Sequence, residues 1–149
     1  VSKDLKKNTN TEVEVLKERR EIEDKLTRAS AEAEYNRDLI KSSSGMVSKH
    51  KRRVQVYASK FAKAQKAGNE KKAKKYMAEV QVYKNEMEIH EKYVQRGHTE
   101  LRQCLSEIEK LKKSLAGIKK KLAVVEEHHK KLQIELGEAQ RAEAIKSLK

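Results

Sequence analysis

The sequence contains no proline and no tryptophan, and only one phenylalanine, one cysteine and five glycines. Without proline, no residue lacks the backbone amide or carries the fixed ring that would kink a helix. With 40% charged, 36% apolar and 4% aromatic residues, the composition does not suit a globule with an enclosed core or pocket. The single cysteine, Cys104, cannot form an internal disulfide, which fits a reducing compartment. The longest apolar run falls far short of a membrane span, and no signal-peptide pattern is present. P-loop, G-x-G-x-x-G, H-E-x-x-H and C-x-x-C patterns are all missing. No convergent acid and base pair is visible, so the expectation is a non-enzyme with no cofactor, metal or small-molecule substrate.

What the sequence does have is a seven-residue rhythm. Ala, Glu, Lys, Leu and Arg dominate, as they do in long helices. One row runs Val15, Ile22, Ala29, Asn36, Ser43, His50, Tyr57 and Ala64, and its companion runs Leu26, Ala33, Ile40, Val47, Val54 and Phe61. The phase does not slip across Ser42-Ser43-Ser44-Gly45, so a continuous helix is expected there. A second pair of rows starts at Ala73 and Tyr76 and repeats to Leu136 and Ala139. Of those 20 positions, only His90, Gly97 and His129 are not apolar. Such rows make the seam of a coiled coil.

Gly68-Asn69 separates the two patterns. Glycine can take the left-handed conformation that ends a helix, and asparagine can cap the next one. Thr11 with Glu14 resembles a capping box that would start the first helix. The sequence therefore predicts an all-α fold, a long antiparallel two-helix coiled-coil hairpin with the second helix extending beyond the first. Its expected parts are a frayed segment over 1–10, a first helix over 11–67, a second over 68–140 and a tail over 141–149.

Folding at residues 68–70 opposes positions whose numbers sum to about 140. His50 then meets His90, Ser43 meets Gly97 and Asn36 meets Cys104, so the weak points of the two rows coincide. Tyr57 faces Tyr83 and Ile22 faces Ile118. The facing histidines read as a polar layer that fixes register, with a pH-responsive contact as the alternative. His128-His129 beside Glu126-Glu127 do not read as a metal site, because adjacent helical residues point about 100° apart. With a first helix beginning at Thr11, Leu122, Val125, Leu132 and Leu136 would lack a partner within the chain. They are therefore expected to drive self-assembly into a homo-oligomer or helical polymer. Gly97, Gly117 and Gly137 read as hinges or as close contacts between chains.

Charge is distributed unevenly. Residues 46–75 carry eleven basic side chains and one acidic one, Glu70, for a local charge of +10 within a total of +13. The basic set is Lys49, Lys51, Arg52, Arg53, Lys60, Lys63, Lys66, Lys71, Lys72, Lys74 and Lys75. Such a patch attracts anionic lipid, and nucleic acid is the alternative polyanion.

The stretch Ala64-Gln-Lys-Ala-Gly-Asn-Glu-Lys-Lys-Ala-Lys-Lys-Tyr-Met-Ala-Glu79 resembles the joint between the first two helices of the ESCRT-III superfamily, which includes phage shock protein A. Leu101 to Leu136 is similar to the continuing helix of that group. The sequence departs from the pattern before residue 11, where no amphipathic membrane-inserting helix is visible. The resemblance implies a cytoplasmic, peripherally membrane-associated protein that polymerises on anionic membranes and remodels or repairs them. Two other classes share the composition: the coiled-coil stalks of rotary ATPases or export machines, and nucleic-acid-coating proteins.

Overall fold

A computed structural model describes residues 2–148. Two helices account for nearly all of them, α1 (Ser2–Lys66) and α2 (Glu70–Ser147), packed against each other as a hairpin in which the second helix is slightly longer. The connection is built from the residues that the sequence singles out. The Asn69 amide donates to the Ala64 carbonyl at 2.9 Å and the Gly68 amide to the Gln65 carbonyl at 3.1 Å. This pair of bonds is a Schellman termination, and Gly68 takes the positive φ of 72° that it requires. The Asn69 side-chain oxygen then accepts from the Lys72 amide at 3.2 Å, capping α2.

The start of α1 differs from the sequence expectation. Residues 2–10 are helical rather than frayed, and Thr11 lies inside the helix with its hydroxyl donating to the Lys7 carbonyl at 3.0 Å. The seam simply continues backwards through polar residues. Asn8, seven before Val15, is buried, and its amide nitrogen donates to the Val125 carbonyl at 3.2 Å. A buried amide with a partner is tolerated where one without a partner would cost about 1–3 kcal/mol. At the other end, α2 stays helical to Ser147, although every residue from Ala139 to Leu148 is exposed.

The chain divides into two compact units, Val1–Ala29 with Ser106–Lys149, and Ser30–Leu105. In the first unit the seam is aliphatic. Val15, Ile118 and Leu122 form its buried cluster, with Ile22 packed against them. Val125 and Leu132 are buried as well, Leu132 with 5% of its surface exposed, and Leu136 is half-buried. The early start of α1 overturns the reading that these leucines and valine lack a partner within the chain. They therefore do not form a free assembly surface.

In the second unit polar and aromatic residues share the seam with small apolar ones such as Ala33, Ala64 and Ala73. Asn36, Ser43 and His50 are buried, with Tyr57 half-buried next along the row. Each ring of α1 sits between two of α2, as knobs do in the holes of a coiled coil. His50 stacks between Tyr83 and His90, at 6.0 and 5.5 Å, and Tyr57 lies between Tyr76 and Tyr83, at 6.2 and 5.5 Å. Gly97 is a close contact within the chain: a Cβ there would lie 2.8 Å from Ile40 Cγ1. At Gly117 and Gly137 the same position is open space.

Candidate functional site

The basic segment lies in the second unit, on both sides of the turn. Ten of its eleven basic side chains are exposed, and Arg53 is half-buried. Among the described residues the ion pairs are Arg19–Glu23 and Arg96–Glu100, both outside this segment. The sequence treated all eleven cations alike, whereas the structure separates two of them. The Arg53 guanidinium sits 5.2 Å from the centre of the Tyr83 ring, and Lys60 Nζ lies 5.0 Å from Tyr57 and 5.9 Å from Tyr76. Cations over aromatic faces are held at about 0.5–1 kcal/mol when exposed. Arg53 and Lys60 thus brace the aromatic seam while contributing to the local field.

The other nine, Lys49, Lys51, Arg52, Lys63, Lys66, Lys71, Lys72, Lys74 and Lys75, present their charge to solvent. Phe61 and Met77 line a shallow hollow beside the turn with Gln65, Gly68, Glu70, Ala73 and Lys74, so two apolar side chains stand beside one lysine and the segment's acidic residue. Met77 is exposed and Phe61 half-buried. Tyr57, the one tyrosine of this segment, faces Tyr76 and Tyr83 in the seam, and all three are half-buried there.

Deeper in the same unit are the groups able to ionise or ligate. His50 is 95% buried, and neither ring nitrogen has a hydrogen-bond partner. Burial pushes its pKa below the ordinary 6.5, and the charges of Arg53 and His90 act in the same direction. His50, His90 and Glu86 bring one ligand-capable atom each within 4.8 Å of one another. The sequence paired the two histidines but missed Glu86. Its signal was the spacing of Glu86 and His90, four apart and so on one helical face. Further along, Cys104 is buried and its Sγ lies 3.8 Å from a Glu32 carboxylate oxygen. Burial raises its thiol pKa, and Glu32 raises it further. His128 is exposed and His129 half-buried, and they do not join a ligating group of three among the described residues.

No protein-family model matches the chain, and no curated protein or solved structure matches it either. The resemblance to the ESCRT-III superfamily therefore rests on the sequence stretches Ala64–Glu79 and Leu101–Leu136, with no relative beside them. No helix among the described residues is long and apolar enough to cross a membrane.

Proposed function

We propose that the protein is a non-enzymatic coiled-coil element that docks on anionic membrane through the basic end of its hairpin. The observation that carries this reading is the set of nine exposed cations of residues 46–75, none ion-paired, six of them within seven residues of Gly68 and Lys49, Lys51 and Arg52 farther along α1 beside the layer of His50 and Glu86. Near a membrane of anionic lipid each such residue contributes about 1 kcal/mol. Phe61 and Met77, in a hollow that also holds Lys74 and Glu70, add apolar surface beside the turn. Single-stranded nucleic acid is usually gripped by charge together with aromatic stacking. With Tyr57, Tyr76 and Tyr83 committed to the seam, the charge remains without the stacking, which favours a lipid surface. Membrane remodelling by a polymer of such hairpins is the fuller form of the proposal, drawn from the likeness around Gly68-Asn69.

The test is co-sedimentation with vesicles of phosphatidylserine and phosphatidylcholine against vesicles of phosphatidylcholine alone. Lys51→Glu, Arg52→Glu and Lys71→Glu together change the local charge by six and leave the Arg53 and Lys60 stacks in place. Losing three contacts at about 1 kcal/mol each should weaken anionic-vesicle binding by roughly two orders of magnitude, with helicity intact. Equal binding by the triple variant would remove the turn as the docking site. Tight, salt-sensitive binding to nucleic acid with no vesicle binding would transfer the patch to the coating class.

A further inference from the structure

We infer that His50, Glu86 and His90 form a binding site for one divalent transition-metal ion, zinc being the best match, that bridges the two helices within the second unit. This site is separate from the exposed lysines and stands or falls independently of membrane docking.

Three observations converge. First, the three ligand-capable atoms lie within 4.8 Å of one another, and they come from both helices. Tetrahedral ligands at zinc–nitrogen distances of 2.0–2.1 Å are about 3.3 Å apart. Closing the remaining gap requires the His50 and His90 rings to turn out of their stacked arrangement so that their nitrogens face one ion. Second, His50 is 95% buried with both ring nitrogens unpartnered. A buried polar group without a partner is costly, and a cation reaching an unpartnered ring nitrogen would relieve that cost. Third, the donor set is chemically coherent. Two imidazoles and one carboxylate, with a fourth position left for water, make a familiar zinc environment. Glu86 supplies negative charge to a site that Arg53 and Lys49 would otherwise make unfavourable for a cation.

The helical spacing contributes as well. Glu86 and His90 are four residues apart on α2, so both side chains leave one face of the helix, and His50 approaches from α1. An ion there would link the helices at a polar layer of the seam, adding coordination to the packing that sets their register.

The full-length protein, freed of metal with a chelator, should bind Zn2+ with a stoichiometry of one per chain in a calorimetric titration. Co2+ in its place should give the intense visible absorption of a tetrahedral ion. Zn2+ should raise the thermal midpoint. Glu86→Gln and His90→Gln, checked for unchanged helicity by circular dichroism, should each weaken Zn2+ binding by about tenfold or more, since loss of even an outer-shell partner can cost that much. His50→Gln should abolish the midpoint shift. His128→Ala with His129→Ala should leave binding unchanged. No Zn2+ binding, binding lost only in the His128/His129 variant, a six-coordinate cobalt spectrum, or unaltered affinity in both Glu86→Gln and His90→Gln would each overturn the site.

Discussion

The imidazole of His50 lies 5.5 Å from that of His90 on the opposing helix, with the two rings 21° from parallel. Tyr83 stacks on the other side of His50 at 6.0 Å and itself supports Arg53. A titratable ring is thus enclosed by two aromatic neighbours, with Arg53 and Lys49 from its own helix and His90 and Glu86 from the other acting on its charge. Burial, Arg53, His90 and Lys49 all disfavour its protonated form, and only Glu86 opposes them.

Stability should consequently fall in mild acid. The unfolded chain protonates this histidine near its ordinary 6.5, while the folded chain resists until lower pH. Between those two values the unfolded state binds more protons, so stability rises with pH and is lost as pH drops below about 6.5. Chemical denaturation of chelator-treated protein between pH 8 and 5 should show that decline. His50→Leu should flatten it and leave neutral-pH stability unchanged or higher, because an unpartnered polar ring is replaced by an apolar side chain. An equal acid slope in wild type and His50→Leu would assign the decline to other groups.

Cys104 should be a slow thiol. It is buried in the seam, and both burial and the neighbouring Glu32 carboxylate disfavour its thiolate. Since the thiolate is the reactive species, a disulfide reagent at pH 8 should label Cys104 much more slowly in native protein than in urea. Glu32→Gln should accelerate native labelling modestly. Labelling at the same rate in native and denatured protein would place the thiol outside the seam.

The hairpin, its turn and its register were legible because apolar rows with a strict period leave little choice of face. Gly68 and Asn69 are legible for a local reason, since helix termination and capping depend on only a few neighbours. The beginning of α1 was hidden because its seam positions before Val15 are Leu5, Asn8 and Glu12, of which only the leucine looks like a core residue. What makes Asn8 acceptable there is a bond to Val125, 117 residues away, and no sequence window contains that. The same applies to the candidate sites. The cations of residues 46–75 are plain in the sequence, but the engagement of Arg53 and Lys60 by rings depends on Tyr76 and Tyr83 of the other helix. Glu86 likewise becomes relevant only when α1 delivers His50 beside it.

The first turns of α1 should act as a cover. Val125 and Leu132 are buried in a unit to which α1 contributes residues before Thr11, and Asn8 is bonded directly to Val125. Removing residues 1–10 should therefore expose part of this apolar surface. Burying such a side chain is worth roughly 1.5–3 kcal/mol, so the truncated chain should lose at least about 2 kcal/mol of stability. It should also gain mass in light scattering as uncovered helices pair. Asn8→Ala should produce a smaller loss, about 1 kcal/mol, without association. A truncated chain of unchanged stability and size would show that these turns add nothing to the packing of α2.

The three glycines inside α2 should separate on replacement by alanine. In an exposed helix interior glycine is about 1 kcal/mol less favourable than alanine. At Gly117 and Gly137 a Cβ meets nothing within 4 Å, so Gly117→Ala and Gly137→Ala should each stabilise by up to about that amount. At Gly97 the same atom would lie 2.8 Å from Cγ1 of Ile40 and 3.6 Å from the Asn36 carbonyl oxygen. Cγ1 is close to the backbone of a branched side chain and has little freedom to retreat. The helices would have to part around Asn36 and Ile40, losing packing that the propensity gain does not recover. Gly97→Ala should thus lower the thermal midpoint while the other two raise it, each measured by circular dichroism on the full chain. Adding Ile40→Val to Gly97→Ala removes Cδ1 but keeps Cγ1 and should rescue little, whereas adding Ile40→Ala should recover part of the loss. A Gly97→Ala variant as stabilised as the other two would mean that the helices approach less closely at this layer than the 2.8 Å contact requires.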